Sequence, residues 1–158
     1  MLGSALLLLG VLVFELVPRD EARIERRLND LCTTLNQTHD EASLSRLRET
    51  LSAALSPEVH LRAPELGQDL IGAGAVSRRA RQLLELPPLS FAWSSLEIHV
   101  LAERARVDAD LWITERGAGE QHRDLRRSRL TLRKVGSAWQ LDSIAVERAS
   151  PSEPEARP

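Results

Sequence analysis

From Leu89 onward the hydrophobic period of this chain changes from helical to two, and the rest of the fold must accommodate that change. Arg106-Val107-Asp108-Ala109-Asp110-Leu111-Trp112-Ile113-Thr114-Glu115 alternates polar and apolar residues with hardly a break. Leu96, Ile98 and Val100 alternate with Glu97 and His99, and Leu130 and Leu132 with Arg129, Thr131 and Arg133. Alternation of this kind puts one face of a strand in a core and the other in water. The pattern predicts strands from Leu89, over 104–116, over 123–135 and over 139–148. Turns fall near Ala102-Glu103-Arg104, at Gly117-Ala118-Gly119 and at Gly136-Ser137.

The first half follows the other period. Ile24, Leu28, Leu31 and Leu35 predict a helix over about 20–37. Leu44, Leu47, Leu51 and Leu55 predict a second, ended by Pro57, and Val76, Ala80, Leu83 and Leu84 a third, ended by Pro87-Pro88. Between these two helices, Glu58–Ala63 reads as a short strand stopped by Pro64. The tail from 149 to 158 has three prolines and no apolar periodicity, and is predicted to be disordered.

Residues 2–17 carry no charge before Glu15 and are mostly Leu and Val. No basic stretch precedes the run, and no small-x-small cleavage site follows it. It is therefore expected to be an uncleaved single-pass membrane anchor, although slightly shorter than the roughly 20 apolar residues of a usual span. The other reading is an apolar helix that packs on the domain or mediates oligomerisation. Arg19, Arg23, Arg26 and Arg27 would sit in the cytoplasm by the basic-side rule. A basic stretch ahead of Met1 would instead turn the domain outward, and the extracytoplasmic side is the expectation carried forward.

Composition narrows the chemistry. A net charge of -2 gives no general attraction to nucleic acid, and the absence of tyrosine with only two phenylalanines leaves few base-stacking platforms. The one cysteine, Cys32, excludes an internal disulfide and a thiolate zinc cluster. His39, His60, His99 and His122 are scattered and form no helical i, i+4 pair, so no metal site is predicted.

Particular residues also carry a resemblance. Leu55-Ser56-Pro57-Glu58-Val59 looks like the entry to a first strand, with Gly72 opening the third helix. Arg106–Leu111 looks like a central strand, and Leu130–Trp139 a hairpin followed by the final strand Leu141–Val146. Together they resemble the nuclear transport factor 2-like (SnoaL-like) superfamily over about 20–148. The resemblance implies an α+β fold with three N-terminal helices packed on a curved antiparallel sheet, forming a cone with an interior pocket. Here a hydrophobic anchor helix precedes it, giving an anchor at 1–18, a domain at 19–148 and a tail at 149–158. The superfamily holds isomerases, dehydratases, cyclases and non-catalytic modules, so fold alone does not name a function.

Parity assigns the faces. The inner face is expected to carry Val59, Leu61, Leu96, Ile98, Val100, Val107, Ala109, Leu111, Ile113, Leu130 and Leu132. Trp93, Leu111, Ile113 and Trp139 are the predicted walls of an apolar ligand site. Ser128 and Arg126 share the inner parity and are read as rim residues. His60, Asp108 and Asp110 fall on the opposite parity, and a bulge would be needed to bring them inward. No catalytic set and no cofactor site is predicted. The expected function is a membrane-tethered, non-catalytic module binding a small apolar molecule or an envelope protein. The alternatives are an isomerase or dehydratase-type enzyme and an accessory subunit of a membrane complex. The outer face, with acids at 108 and 110 opposite Arg127, Arg129 and Arg133, reads as a solvated ion-paired sheet, or as a homodimer surface anchored by Trp112.

Overall fold

The computed structural model describes residues 19–37, 41–84, 89–115 and 122–149; the predicted anchor and the tail from 150 lie outside them. Helix α1 spans Asp20–Asn36 and α2 spans Glu41–Ala54. Strand β1 (Leu55–Ala63) leads through a 3-10 turn (Pro64–Leu66) to β2 (Gln68–Ile71) and then to α3 (Ala73–Leu84). Four long strands follow: β3 (Leu89–Leu101), β4 (Arg104–Glu115), β5 (His122–Val135) and β6 (Ala138–Arg148). All six form one curved, unclosed sheet in the order β2-β1-β6-β5-β4-β3, with the helices packed on it.

Three expectations are corrected here. The sheet is mixed, because β1 runs parallel to β6 while the other four pairings are antiparallel. Strand β2 was not foreseen, since four residues between Gly67 and Gly72 are too few to show a period. Leu55 belongs to β1 rather than to the stripe of α2. Pro57 therefore lies inside a strand, at the irregular stretch of the β1–β6 ladder where no N–H is called for.

The core follows the two periods. Ile24, Leu28 and Leu31 of α1, and Leu47 and Leu51 of α2, bury against Val59, Val107, Ala109, Leu130 and Leu132 of the sheet. A buried Leu or Ile contributes about 1.5–3 kcal/mol. Gly72 enters α3 at φ +92, a backbone conformation side chains resist, and its carbonyl accepts the first N–H groups of that helix, from Ala75 and Val76. Cys32 is buried, and burial pushes its thiol up to about 11, which leaves it a packing residue.

Two contacts fix α1 along the sheet. Asn36 donates to the Phe91 carbonyl at 2.8 Å and accepts the Phe91 N–H at 2.7 Å, occupying free backbone groups of edge strand β3. At the other end, Asp20 accepts from Lys134 Nζ at 2.9 Å and from the Trp139 indole N–H at 3.2 Å. The Lys134 hydrogen bond, then that of Trp139, holds the Asp20 carboxyl below its ordinary value, against the opposing effect of burial. A depressed folded-state value contributes stability that is present above the unfolded value, near 3.9, and is lost as pH falls through the folded one. Asp20→Asn is therefore expected to be less stable than the parent at pH 7 by a gap that narrows only below about pH 4. Urea midpoints from pH 7 to 2 check this, and a gap that stays constant to pH 2 would assign the loss to packing.

Candidate functional site

Sheet register arranges the inner face in rows. Trp93, Leu111, Arg126 and Arg148 lie side by side across β3, β4, β5 and β6, and Leu96, Ala109, Ser128 and Val146 form the neighbouring row. Trp93 reaches this face through a bulge at Ser94, which reverses the parity between Trp93 and Ser95. Its indole N–H donates to the Leu28 carbonyl at 3.2 Å, so the ring is clamped between α1 and the sheet. Leu111 and Ile113 continue the face as half-buried side chains.

Trp93, Leu111 and Ile113 thus meet at one end of the inner face. Trp139, predicted with them, does not join them. It pairs with Lys134 at the opposite end and is 2% exposed, which makes it a core residue. A bulge at Asp142 turns the following residues of β6, so that Leu141 and Ile144 both face the core.

Two polar side chains lie among these apolar ones. Arg126 is 7% exposed, and Ser128 is 1% exposed. Both share the inner parity expected of them, yet they are buried on the face rather than set at its rim. Arg126 donates through Nε to Asp124 at 2.7 Å and through Nη1 to Glu65 at 3.0 Å. Glu65 comes from the 3-10 turn and also accepts the Arg148 backbone N–H at 3.1 Å. One buried guanidinium therefore ties the turn between β1 and β2 to the middle of the sheet. Ser128 Oγ is buried and has no hydrogen-bond partner among the described residues. Such an orphan is rare in a folded chain and costs about 1–3 kcal/mol when nothing pairs with it.

The histidine and aspartates that an enzyme would need inward stay outside. His60 pairs with Asp69 across the β1–β2 hairpin. Asp108 accepts from Arg106 at 2.7 Å and from Arg129 at 3.0 Å, and these contacts, that of Arg106 foremost, hold its carboxyl below the ordinary value. Asp110 accepts from the Ser95 hydroxyl at 3.1 Å and lies 4.0 Å from Arg127. None of the three sheet irregularities turns these residues inward. The carboxylates beside the inner face, Asp124 and Glu65, both accept from Arg126. The inner face thus holds a buried hydroxyl in an apolar setting, two residues along β5 from a guanidinium fixed by two carboxylates. Among the described residues no cluster of His, Cys, Asp and Glu suits a metal ion, and no helix is long and apolar enough to cross a membrane.

No family model and no curated protein matches the chain. Solved structures do. A candidate scytalone dehydratase from Novosphingobium aromaticivorans superposes with a TM-score of 0.65 at 17% identity, covering 87% of this chain and 89% of its own. An NTF2-like protein with a cystatin-like fold from the same organism gives 0.64 at 15% identity, over 91% and 90%. A candidate calcium/calmodulin dependent protein kinase II association domain from Xanthomonas campestris gives 0.65 at 10% identity, over 85% and 88%. The chain has the NTF2-like, cystatin-like fold, and at these identities the likeness extends to the fold alone.

Proposed function

We propose that this chain is a membrane-tethered, non-catalytic binding module whose inner face takes a small, largely apolar molecule carrying one hydrogen-bonding group. Ser128 carries the reading: its hydroxyl is 1% exposed, unpaired among the described residues, and one row from Trp93 and Leu111. A ligand that pairs with Ser128 Oγ relieves a buried orphan while its body packs on Trp93, Leu111 and Ile113. Both carboxylates beside the face are engaged by Arg126, which favours holding over proton transfer. Tethering rests on the apolar run 2–17, with the domain on the extracytoplasmic side. Association of two copies through the outer sheet face, or with an envelope protein, is compatible with this role.

The second reading is an enzyme of the isomerase or dehydratase type. It is favoured by the Glu65–Arg126–Asp124 group next to Ser128, and by a solved neighbour described as a candidate dehydratase.

The test is thermal melting of the chain and of Ser128→Ala against a panel of apolar small molecules and lipids. A ligand at about 100 times its Kd stabilises by roughly 2.7 kcal/mol. Without ligand, Ser128→Ala is expected to equal or exceed the parent in stability, because an unpaired buried hydroxyl is removed. With ligand, its increment shrinks. Chromatography of the recovered ligand separates the readings, unchanged for a binder and converted for an enzyme. No stabilisation by any compound would remove both.

A further inference from the structure

The outer face of the sheet follows an acid–base scheme, and that scheme fails at one end. Across β4 and β5, Asp108 stands opposite Arg129 and Asp110 opposite Arg127. These are the complementary cross-strand pairs that stabilise a solvated face. At the hairpin end the same ladder sets Arg104 opposite Arg133. Like charges directly opposite each other repel, and nothing in the strand pattern requires two arginines there.

Their surroundings form a groove of about 390 Å³, lined also by His99, Ala105, Arg106, Thr131 and Leu132. Arg104 has no carboxylate within ion-pair distance among the described residues. Arg133 Nε lies 3.4 Å from Asp142 Oδ1, but this N–H is buried and makes no hydrogen bond. Asp142 directs that same oxygen to Ser56 Oγ at 2.9 Å. Arg106 is occupied by Asp108, and His99 by Glu97 at 3.1 Å. With Arg106 paired to Asp108, the groove sets Arg104 and Arg133 against the single carboxylate of Asp142, with one guanidinium unclaimed and the other holding an unpaired buried donor.

We infer that this groove is an oxyanion site, in which a phosphate-type group bridges Arg104 and Arg133 and converts their repulsion into a shared contact. Planar guanidinium forks suit the oxygens of such a group, and charge-assisted bonds of this kind are about twice as strong as neutral ones. Two sources share the chemistry, a soluble phosphate compound and a phospholipid headgroup. The headgroup is included because of where the chain enters the domain. Asp20, at the start of α1, is bonded to Lys134, the residue after Arg133, so the first described helix begins at this end of the sheet, three residues after the apolar run 2–17 in sequence. Leu101, 82% exposed, borders the groove on the same side. The site lies on the opposite face of the sheet from Ser128 and does not depend on the binding role proposed for it.

The experiment uses the full chain in nonionic detergent micelles, following the Arg104 and Arg133 amide and Nε–H resonances. Inorganic phosphate is titrated first, then phosphatidylglycerol doped into the same micelles. Saturable movement with phosphate that weakens about tenfold in Arg104→Gln or Arg133→Gln supports the site with a soluble ligand. Movement with phosphatidylglycerol alone, weakened by the same variants, supports it with a headgroup. In phosphate-free, lipid-free buffer Arg104→Gln is expected to melt no lower than the parent, which shows that the variant is folded. Resonances unmoved by either probe overturn the inference, as does binding that both variants leave unchanged.

Discussion

Trp139→Ala is expected to lower the stability of the domain by about 3–5 kcal/mol, the range for removing a fully buried aromatic side chain. In a domain of this size that is a fall in melting temperature of roughly 10–15 °C. The side chain is 2% exposed, packed in the main core, and its N–H reaches Asp20 at 3.2 Å. Truncation opens a cavity that flanking Leu141 and Leu132 cannot fill without moving their strands. Trp139→Phe separates the contributions. It retains most of the apolar area and loses the indole hydrogen bond, so about 1 kcal/mol is expected. Lys134 continues to hold Asp20 in both variants. The comparison also decides between two pictures of the residue. The wall of an open ligand site tolerates truncation by enlarging the site, whereas a closed core does not. A Trp139→Ala loss of 1 kcal/mol or less would restore Trp139 to a pocket.

Trp139 also shows how far parity could be followed in the sequence. Alternation assigned Val107, Ala109, Leu130 and Leu132 to the inner face, and all four are buried there. It kept His60, Asp108 and Asp110 outside, where His60 contacts Asp69 and the two aspartates pair with arginines. Parity is a local rule, and a single extra residue resets it. The bulges at Ser94 and Asp142 are such resets, and neither residue type announces one. Trp93 faces inward because of the first bulge, and Leu141 and Ile144 both do because of the second. The shortest element, β2, had no period to read. The direction of β1 against β6 depends on how the chain returns after α3, which no local pattern encodes.

The site was less legible for a related reason. Arg126 and Ser128 were visible as polar residues on an apolar face, and near a strand end the natural reading of such residues is a wet rim. Arg126 is held by Glu65, which is 61 positions away from it in a three-residue turn. A lone glutamate after a proline gives no sign that it will meet a buried arginine. Similarly, Arg104 and Arg133 each look like an ordinary solvated residue until the register sets them opposite each other.

Arg126→Met is expected to cost about 2–3 kcal/mol, and the reason lies in what the side chain leaves behind. Its stem packs beside Leu111 and Ser128, and methionine replaces much of that volume. What disappears is the cation between Asp124 and Glu65. Removing one partner of a fully buried ion pair costs about 3–5 kcal/mol, because the other charge is stranded. Here the carboxylates are 28% and 46% exposed, so water recovers part of the loss and the lower figure applies. Glu65→Gln alone should cost less, since glutamine still accepts the Arg148 N–H. The double variant then tests the coupling: if the guanidinium holds the 3-10 turn, the two losses are not additive, and the shortfall is about 0.5–3 kcal/mol. Additive losses would show that Arg126 and Glu65 act independently and that the turn is held by its backbone alone. The same variants separate the two faces of the sheet. Freeing the turn disturbs the row that contains Leu111 and lies next to Ser128, so ligand stabilisation through the inner face should fall. Phosphate binding at Arg104 and Arg133, on the outer face and at the far end of β5, should be unaffected.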